Sequence, residues 1–401
     1  MNVFFTLVVM ELFVGGGGRL TELGPATLRM VLFALCLLAS AYLALVRVRA
    51  DYGLPLALGL VSAYLLVHLP AVAIGISQGS LPGDVTTEMQ QSLYWLAAPF
   101  FAIALASPER VVRAALLVRI AGAVLAVAYL AAILGLLTGS LDYVEWYARL
   151  NETGEFSFRG ESFFFYKGFL YLGISTIFFL ALRSRHSTLW LLVVIAALVM
   201  TLTRGFILST SIAALAMLFA LRRWRAVGLA ALIVSAAVFM MWIYLPSADE
   251  AVAVQREISN SQRGDDFAYM VEHASVGPLV FGAGFGSFIN ERINIENTFL
   301  WALWKIGVAG LVFWFLPLLL SARYFLRVPR ATEHFPLACA YFFATVLIYV
   351  QTATNPYLNN PIGLSFALIA LFSLRTLSRL PQPVRVTAQP RADAVPVPAA
   401  L

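Results

Sequence analysis

Residues 188–221 read TLWLLVVIAALVMTLTRGFILSTSIAALAMLFAL, an apolar run interrupted near its middle by one arginine, Arg204, with no acid beside it. Basic residues flank both ends: Arg183, Arg185 and His186 before it, Arg222, Arg223 and Arg225 after it. A membrane span needs about 20 apolar residues and tolerates roughly 17 to 25. A run of about 34 residues is therefore too long for one crossing and just enough for two short ones. Lysine and arginine clusters mark the cytoplasmic face, so Arg204 falls at the turn between the two spans, on the face where arginine is least expected. Two readings follow. It is a snorkelling or locally paired arginine at a helix end, or it forms an anion site at the outer membrane edge.

The rest of the chain extends the membrane reading. Hydrophobic residues make up 61% of its 401 residues and charged residues only 12%, with a mean hydropathy of +0.85. A soluble protein of this length could not bury that much apolar surface. The net charge of +6 is no nucleic-acid signature, because the basic residues sit in short groups between apolar runs and not along one face. The N-terminal MNVFFTLVVMELFVGGGG has no basic leader and no small-residue cleavage site, so it reads as a retained first span. Cys36 and Cys339 fall inside apolar runs, with no zinc spacing and no reason to expect a disulfide.

By length and hydropathy, spans are expected over 3–16, 25–46, 54–76, 89–106, 114–136, 162–182, 188–203, 205–221, 226–245, 296–320, 335–352 and 361–375. The fold class expected is all-α, a polytopic membrane protein of about twelve transmembrane helices with a long outer loop. Arginine groups at 47–49, 110–113, 183–185, 222–225, 323–330 and 375–379 follow alternate spans, which puts both termini in the cytoplasm. Residues 1–379 form a single transmembrane domain. The tail over 380–401, rich in Pro, Ala and Val, reads as a disordered cytoplasmic end.

Two outer loops have room for a site. In 137–161, Tyr143, Trp146, Tyr147, Phe156 and Phe158 interleave with Asp142, Glu145, Arg149 and Arg159, a mixture of flat apolar rings and hydrogen-bonding groups that suits sugars and that interfacial aromatic belts also produce. The longer loop, 246–295, carries Arg256, Arg263, Asp265, Asp266, Glu272, His273, Glu291 and Arg292. Its patterned stretches AYMVEH and GPLVFGAGFGSF predict a short amphipathic helix and a Gly-rich turn. GAGFG is no dinucleotide fingerprint, since no strand precedes it; glycine there lets the backbone approach a ligand or another helix. Lys305, about two and a half turns into the helix beginning at Glu296, needs a partner or a wet cavity. Glu11 is one candidate, unless Glu11 pairs with Arg19.

TRG at Arg204, SQRGDDFAYMVEHASVGPLVFGAGFGSF around Arg263 and IENTFLWALWKIGVAGL from Ile295 together resemble the superfamily of bacterial O-antigen ligases and O-antigen or exopolysaccharide polymerases. The resemblance is clearest over about 188–361. RGESFFFYKGFLYLGIS near Lys167 and GGGGRL near Arg19 are similar to stretches of the polymerase branch. The resemblance implies a class C type membrane glycosyltransferase acting at the periplasmic face of the inner membrane. Such an enzyme takes a glycan from an undecaprenyl pyrophosphate donor and passes it to a sugar hydroxyl of a glycan or lipid-linked acceptor, in contact with membrane lipid and with a chain-length regulator as a further partner. It also implies that Arg204 and Arg263 hold the donor pyrophosphate. A guanidinium is always charged and forks onto phosphate oxygens, and it can neutralise charge on the departing group.

Ligases of this superfamily place a histidine before the asparagine that opens the next span, where this chain has Glu296 before Asn297. A carboxylate can accept the proton of an attacking hydroxyl, so Glu296 is the candidate base; its other reading is an acid stabilising a helix N-terminus. Glu272 and His273 are the fallback candidates. The substitution shifts the expectation from ligase toward polymerase. Asn297, Lys167, Arg159, Arg292 and Asn355, the last in TATNPYLNNPIG, complete the candidate substrate-binding set. With no Walker A sequence, no HExxH and no CxxC, neither ATP coupling nor a metal or other cofactor is expected. The rivals from other classes are a transporter or lipid flippase, which would line a route with intramembrane charges, and a scaffold for glycan export.

Overall fold

A computed structural model describes residues 2–20, 22–23, 26–46, 53–159, 163–228, 250–273, 275–290, 292–293 and 295–381, with the backbone alone for 22–23, 159 and 250–260. Its helices are α1 (Asn2–Val14), α2 (Leu28–Val46), α3 (Leu54–Ser77), α4 (Pro82–Ser92), α5 (Ala98–Ala104), α6 (Pro108–Leu137), α7 (Tyr143–Asn151), α8 (Leu170–Ala181), α9 (Ser187–Met200), α10 (Arg204–Ala220), α11 (Glu250–Glu272), α12 (Val276–Phe281), α13 (Thr298–Phe325), α14 (Phe335–Thr352) and α15 (Pro361–Leu377). Two small antiparallel pairs complete the described structure, β1 (Glu22–Leu23) with β2 (Ala26–Thr27), and β3 (Phe156–Arg159) with β4 (Phe163–Tyr166).

Five helices, α2, α3, α6, α13 and α14, are long and apolar enough to cross a membrane, and α1, α9, α10 and α15 are shorter apolar helices. The protein is a mainly helical membrane protein. Its outer helices carry apolar side chains with nothing to pack on, such as Leu45 and Leu66, 86% and 75% exposed. That surface would be untenable in water and suits lipid. At the centre, α15 is buried along its whole length from Ile362 to Leu377, and α8 is buried along nearly all of its own.

The expected segments meet the observed elements with three differences. The segment over 89–106 is three pieces, α4, a 3-10 turn at Leu93–Ala97 and α5, because PGDVTTEMQQS is polar and Pro82 and Pro99 favour helix starts. The segment over 162–182 begins as strand β4, with helix only after Lys167–Phe169; FFFY is aromatic and pairs across to FSFR. The amphipathic piece AYMVEH is the end of a 23-residue helix, α11. The span expected over 226–245 and the tail from 380 lie outside the described residues, apart from 226–228 and 380–381.

The Gly-rich segment shows how the long loop is held. α13 breaks at Gly307, whose φ of 79° and ψ of −169° no helix contains and which favours glycine. The carbonyls of Trp304 and Lys305, which an unbroken helix would give to residues four further on, accept instead from the N–H groups of Ala283 (2.7 Å) and Gly284 (3.1 Å). Phe285 N–H donates to Ala71 of α3 at 3.0 Å, and a Cβ on Gly284 would lie 2.3 Å from Gly75 N. Glycine here admits two neighbouring helices. In a low-dielectric interior the backbone groups released by such a break must find partners, and the loop supplies them.

Candidate functional site

Arg204 is the first residue of α10, after a turn over 201–203 in which Leu202 adopts φ 51°. The hairpin tip is therefore where the sequence puts it. Its side chain is exposed and, among the described residues, has no hydrogen-bond or ion-pair partner. The next residue explains the closeness of the turn to the loop after α14. A Cβ on Gly205 would lie 3.1 Å from Gln351 Nε2 and 3.3 Å from Thr354 Oγ1, so the first turn of α10 sits directly against the end of α14. A buried polar relay joins the two: Ser209 Oγ donates to Gln351 Oε1 at 2.9 Å, Gln351 Nε2 to Thr354 Oγ1 at 3.4 Å, and Asn355 Nδ2 to the same hydroxyl at 3.2 Å. Asn355 thus holds the loop's own Thr354.

Arg263 reaches the same loop from α11. Its Nε and Nη2 both lie 2.8 Å from Glu296 Oε2, and Nη2 also donates to the Thr354 carbonyl at 3.3 Å. Each side chain of the pair is about one third exposed, 34% for Arg263 and 37% for Glu296. The candidate phosphate ligand and the candidate base are thus one ion pair at the surface. Glu296 precedes the helix and does not cap it: Asn297 is the N-cap of α13, its Oδ1 accepting from Phe299 N (2.9 Å) and Leu300 N (3.2 Å). The capping hydrogen bonds at this helix start come from the asparagine, and the Glu296 carboxylate accepts from Arg263. Thr298 Oγ1 donates to Asn359 Oδ1 at 3.3 Å, tying the start of α13 to the loop after α14 as well.

One turn along α11, Asp266 accepts from Arg292 Nη2 at 2.6 Å, and that nitrogen also donates to the Gln262 carbonyl at 3.3 Å. Asp266 is buried, and desolvation raises its carboxyl above the ordinary range; Arg292 lowers it, and Glu296 and Asp265 raise it further. Arg263, Asp266, Arg292 and Glu296 are therefore one electrostatic cluster on one side of α11. The 263 and 266 positions share a helix face three residues apart, the signal that would have placed Asp266 in the site from sequence.

Lys167 follows β4 and is half-buried, with no side-chain hydrogen bond among the described residues. Its hairpin is fastened to the first helix and to α10. Glu155, buried, accepts from Gly17 N at 2.6 Å, Tyr166 OH donates to the Val14 carbonyl at 2.6 Å, and Phe165 stacks on Phe206 with centroids 5.6 Å apart. Phe206 in turn lies 5.7 Å from Tyr357, whose phenol is held well above its ordinary value by burial and then by Glu155. Arg159 ends β3, opposite Phe163. Of the two fallback bases, Glu272 is exposed and His273 hydrogen-bonds through Nδ1 to the Tyr269 carbonyl at 2.9 Å, its ring stacked on Tyr269. Neither takes part in the contacts of Arg263.

Lys305 belongs to a different assembly. Its Nζ lies 2.8 Å from Glu88 Oε1 on α4, the two side chains being 0% and 1% exposed, and it also donates to the Ser287 carbonyl. Trp301 Nε1 (3.2 Å) and Gly286 N (2.6 Å) complete the carboxylate. Glu11 instead pairs with Arg29 at 3.1 Å. The partner expected for Lys305 is thus corrected: α4 brings Glu88 inward, and α1 meets α2 with its own acid.

No protein-family model matches the chain. Over 372 residues it is 28% identical to the O-antigen polymerase of Shigella flexneri, an alignment covering 90% of this chain and 92% of that relative. This likeness supports a place among the O-antigen polymerases and ligases. The alignment extends the resemblance seen in the second half of the sequence to nearly the whole length. The elements that carry the motifs around Arg204, Arg263 and Glu296 meet at the end of α14.

Proposed function

We propose that the chain polymerises undecaprenyl-pyrophosphate-linked oligosaccharide repeat units at the periplasmic face of the inner membrane, in O-antigen or exopolysaccharide assembly, with both termini in the cytoplasm. The observation that carries this reading is the Arg263 guanidinium bonded at once to Glu296 and to the Thr354 carbonyl, next to the loop on which Gly205 rests. Two arginines and one carboxylate from distant parts of the sequence thereby serve one outer site. The relative named as a polymerase, and Glu296 in the place of the ligase histidine, favour polymerisation over transfer to a lipid A core.

The donor pyrophosphate binds Arg204, which has a free fork, and draws Arg263 away from Glu296. A doubly charged phosphate group competes well for a guanidinium that holds a partly exposed carboxylate, because exposed ion pairs contribute only about 0 to 1 kcal/mol. The released Glu296 takes the proton of the acceptor hydroxyl. The acceptor oxygen forms its bond to the anomeric carbon of the donor glycan, the bond from that carbon to the pyrophosphate oxygen breaks, and the electron pair leaves on undecaprenyl pyrophosphate with inversion. The two guanidinium groups neutralise the charge that builds on the leaving group. Lys167, Arg292 and Asn355 surround the approach as substrate contacts, and the activated donor supplies the driving force without a metal ion.

Purified protein incubated with lipid-linked repeat units should extend chains, and a chelator should leave the rate unchanged. Arg204→Ala and Arg263→Ala should each lower extension by about 10²-fold or more, the loss typical of one removed oxyanion-type contact. Full extension by both variants would sink the phosphate assignment, and passage of unmodified substrate across liposomes without chain growth would favour a transporter.

A further inference from the structure

α11 has two working faces. Arg263 and Asp266 turn toward Glu296 and Arg292, whereas Asp265, Ala268, Tyr269 and Glu272 line a cavity of about 550 Å³ closed on its far side by Asn290 and Arg292. That volume falls in the range of ligand pockets, roughly 300 to 1,000 Å³. Both sides of the cavity are held by contacts. Ile289 and Arg292 exchange backbone hydrogen bonds of 2.9 and 2.8 Å, with Asn290 at φ 45°, and Tyr269 packs against a stacked His273 ring at 4.0 Å and Trp304 at 5.8 Å. Arg292 is shared between the two faces, since its Nη2 is committed to Asp266 and the Gln262 carbonyl while the residue lines the cavity.

The lining does not suit a lipid tail, because one tyrosine ring stands among carboxylate, amide and guanidinium groups. An aromatic ring surrounded by hydrogen-bonding side chains suits the alternating apolar faces and hydroxyls of a pyranose. Its charge selects among sugars. Asp265 and Glu272 are exposed carboxylates, and the cation opposite them is already paired with Asp266, so the cavity repels a uronate and accepts donors from neutral hydroxyls.

We propose that the groove between α11 and the 289–292 turn binds the sugar residues of a neutral glycan chain beside the transfer site and discriminates against acidic ones. The proposal rests on the polymerase reading for its substrate and adds the site and the charge class of the chain it holds.

The full chain, purified in detergent, is titrated with maltotriose and with trigalacturonic acid by saturation-transfer NMR, and separately with undecaprenyl pyrophosphate. Maltotriose should bind and trigalacturonic acid should bind at least tenfold more weakly. Ala268→Trp, which fills the groove from an exposed position, should weaken maltotriose at least tenfold and leave undecaprenyl pyrophosphate binding unchanged. Asp265→Asn combined with Glu272→Gln should narrow the difference between the two sugars. Asn290→Gly, which keeps the positive φ without strain, serves as a second groove variant that folds, with maltotriose binding reduced. Absence of maltotriose binding, equal binding by wild type and Ala268→Trp, or equal binding of the acidic sugar would overturn the groove. Loss of the polymerase reading shows separately, as chain extension that survives Arg204→Ala and Arg263→Ala.

Discussion

Two ion pairs at either end of the same loop have the same chemistry and opposite surroundings. Arg263 and Glu296 meet about one third exposed at the rim, whereas Lys305 and Glu88 meet fully buried where α13 breaks. An exposed pair is held weakly and can exchange partners. A buried one has no water to fall back on, so removing either member strands a charge. Glu88 has both oxygens engaged by three groups, two on α13 and one on the Gly-rich loop, which fastens residues 286–287 to α4 and α13. Residues 286–287 are thus anchored by a buried pair, whereas Glu296 is held by an exposed one that can exchange partners.

The contrast can be broken most severely at the buried pair. Lys305→Met leaves Glu88 unpaired and should cost about 3 to 5 kcal/mol of stability, read as a fall in the melting temperature of the detergent-solubilised protein. A variant as stable as the parent would show that the pair is not an anchor. Glu296→Gln tests the other end. It should lower chain extension by about 10² to 10⁴-fold, the range for a lost general base, while the melting temperature moves by the equivalent of no more than about 1 kcal/mol. A large loss of stability with little loss of rate would reverse the roles of the two pairs.

The smallest effect concerns Asp266, which lies between the two regimes, buried but paired with Arg292. Burial raises its carboxyl above the ordinary value, so the folded state holds the proton more tightly than the unfolded chain. The resulting stability is fully present below about pH 4, the unfolded value, and is lost as pH rises through the raised one. The melting temperature of the parent relative to Asp266→Asn should therefore increase as pH falls from 7 toward 4. A difference independent of pH would remove Asp266 from the electrostatic cluster.

Much of this was legible in the chain. The turn at 201–203 that puts Arg204 at a helix start follows from run lengths and arginine positions, because hydropathy is a local property that each segment carries by itself. The pairing of Arg263 with Glu296 joins residues 33 apart in sequence, and neither has a pattern that names the other. An apolar helix makes Lys305 need a partner, but the acid that the sequence offers, Glu11, pairs with Arg29, and Glu88 reaches Lys305 only because α4 is a separate polar helix that brings it inward. The hairpin over 156–166 was hidden inside an apolar stretch because aromatic residues serve strand and span alike.

The sequence by itself determined that the protein is a helical membrane protein with much of its charged chemistry between the apolar runs, since apolar runs of span length have no other stable place and isolated arginines among them must reach polar surroundings. Only the tertiary structure decided which charges meet. Whether a cation faces a carboxylate, a carbonyl or open space depends on where helices cross and where a glycine admits a neighbour, as Gly205 does the Thr354 side chain and Gly307 the Val280 backbone. Those distances come from packing of the whole bundle, and no stretch of residues encodes them alone.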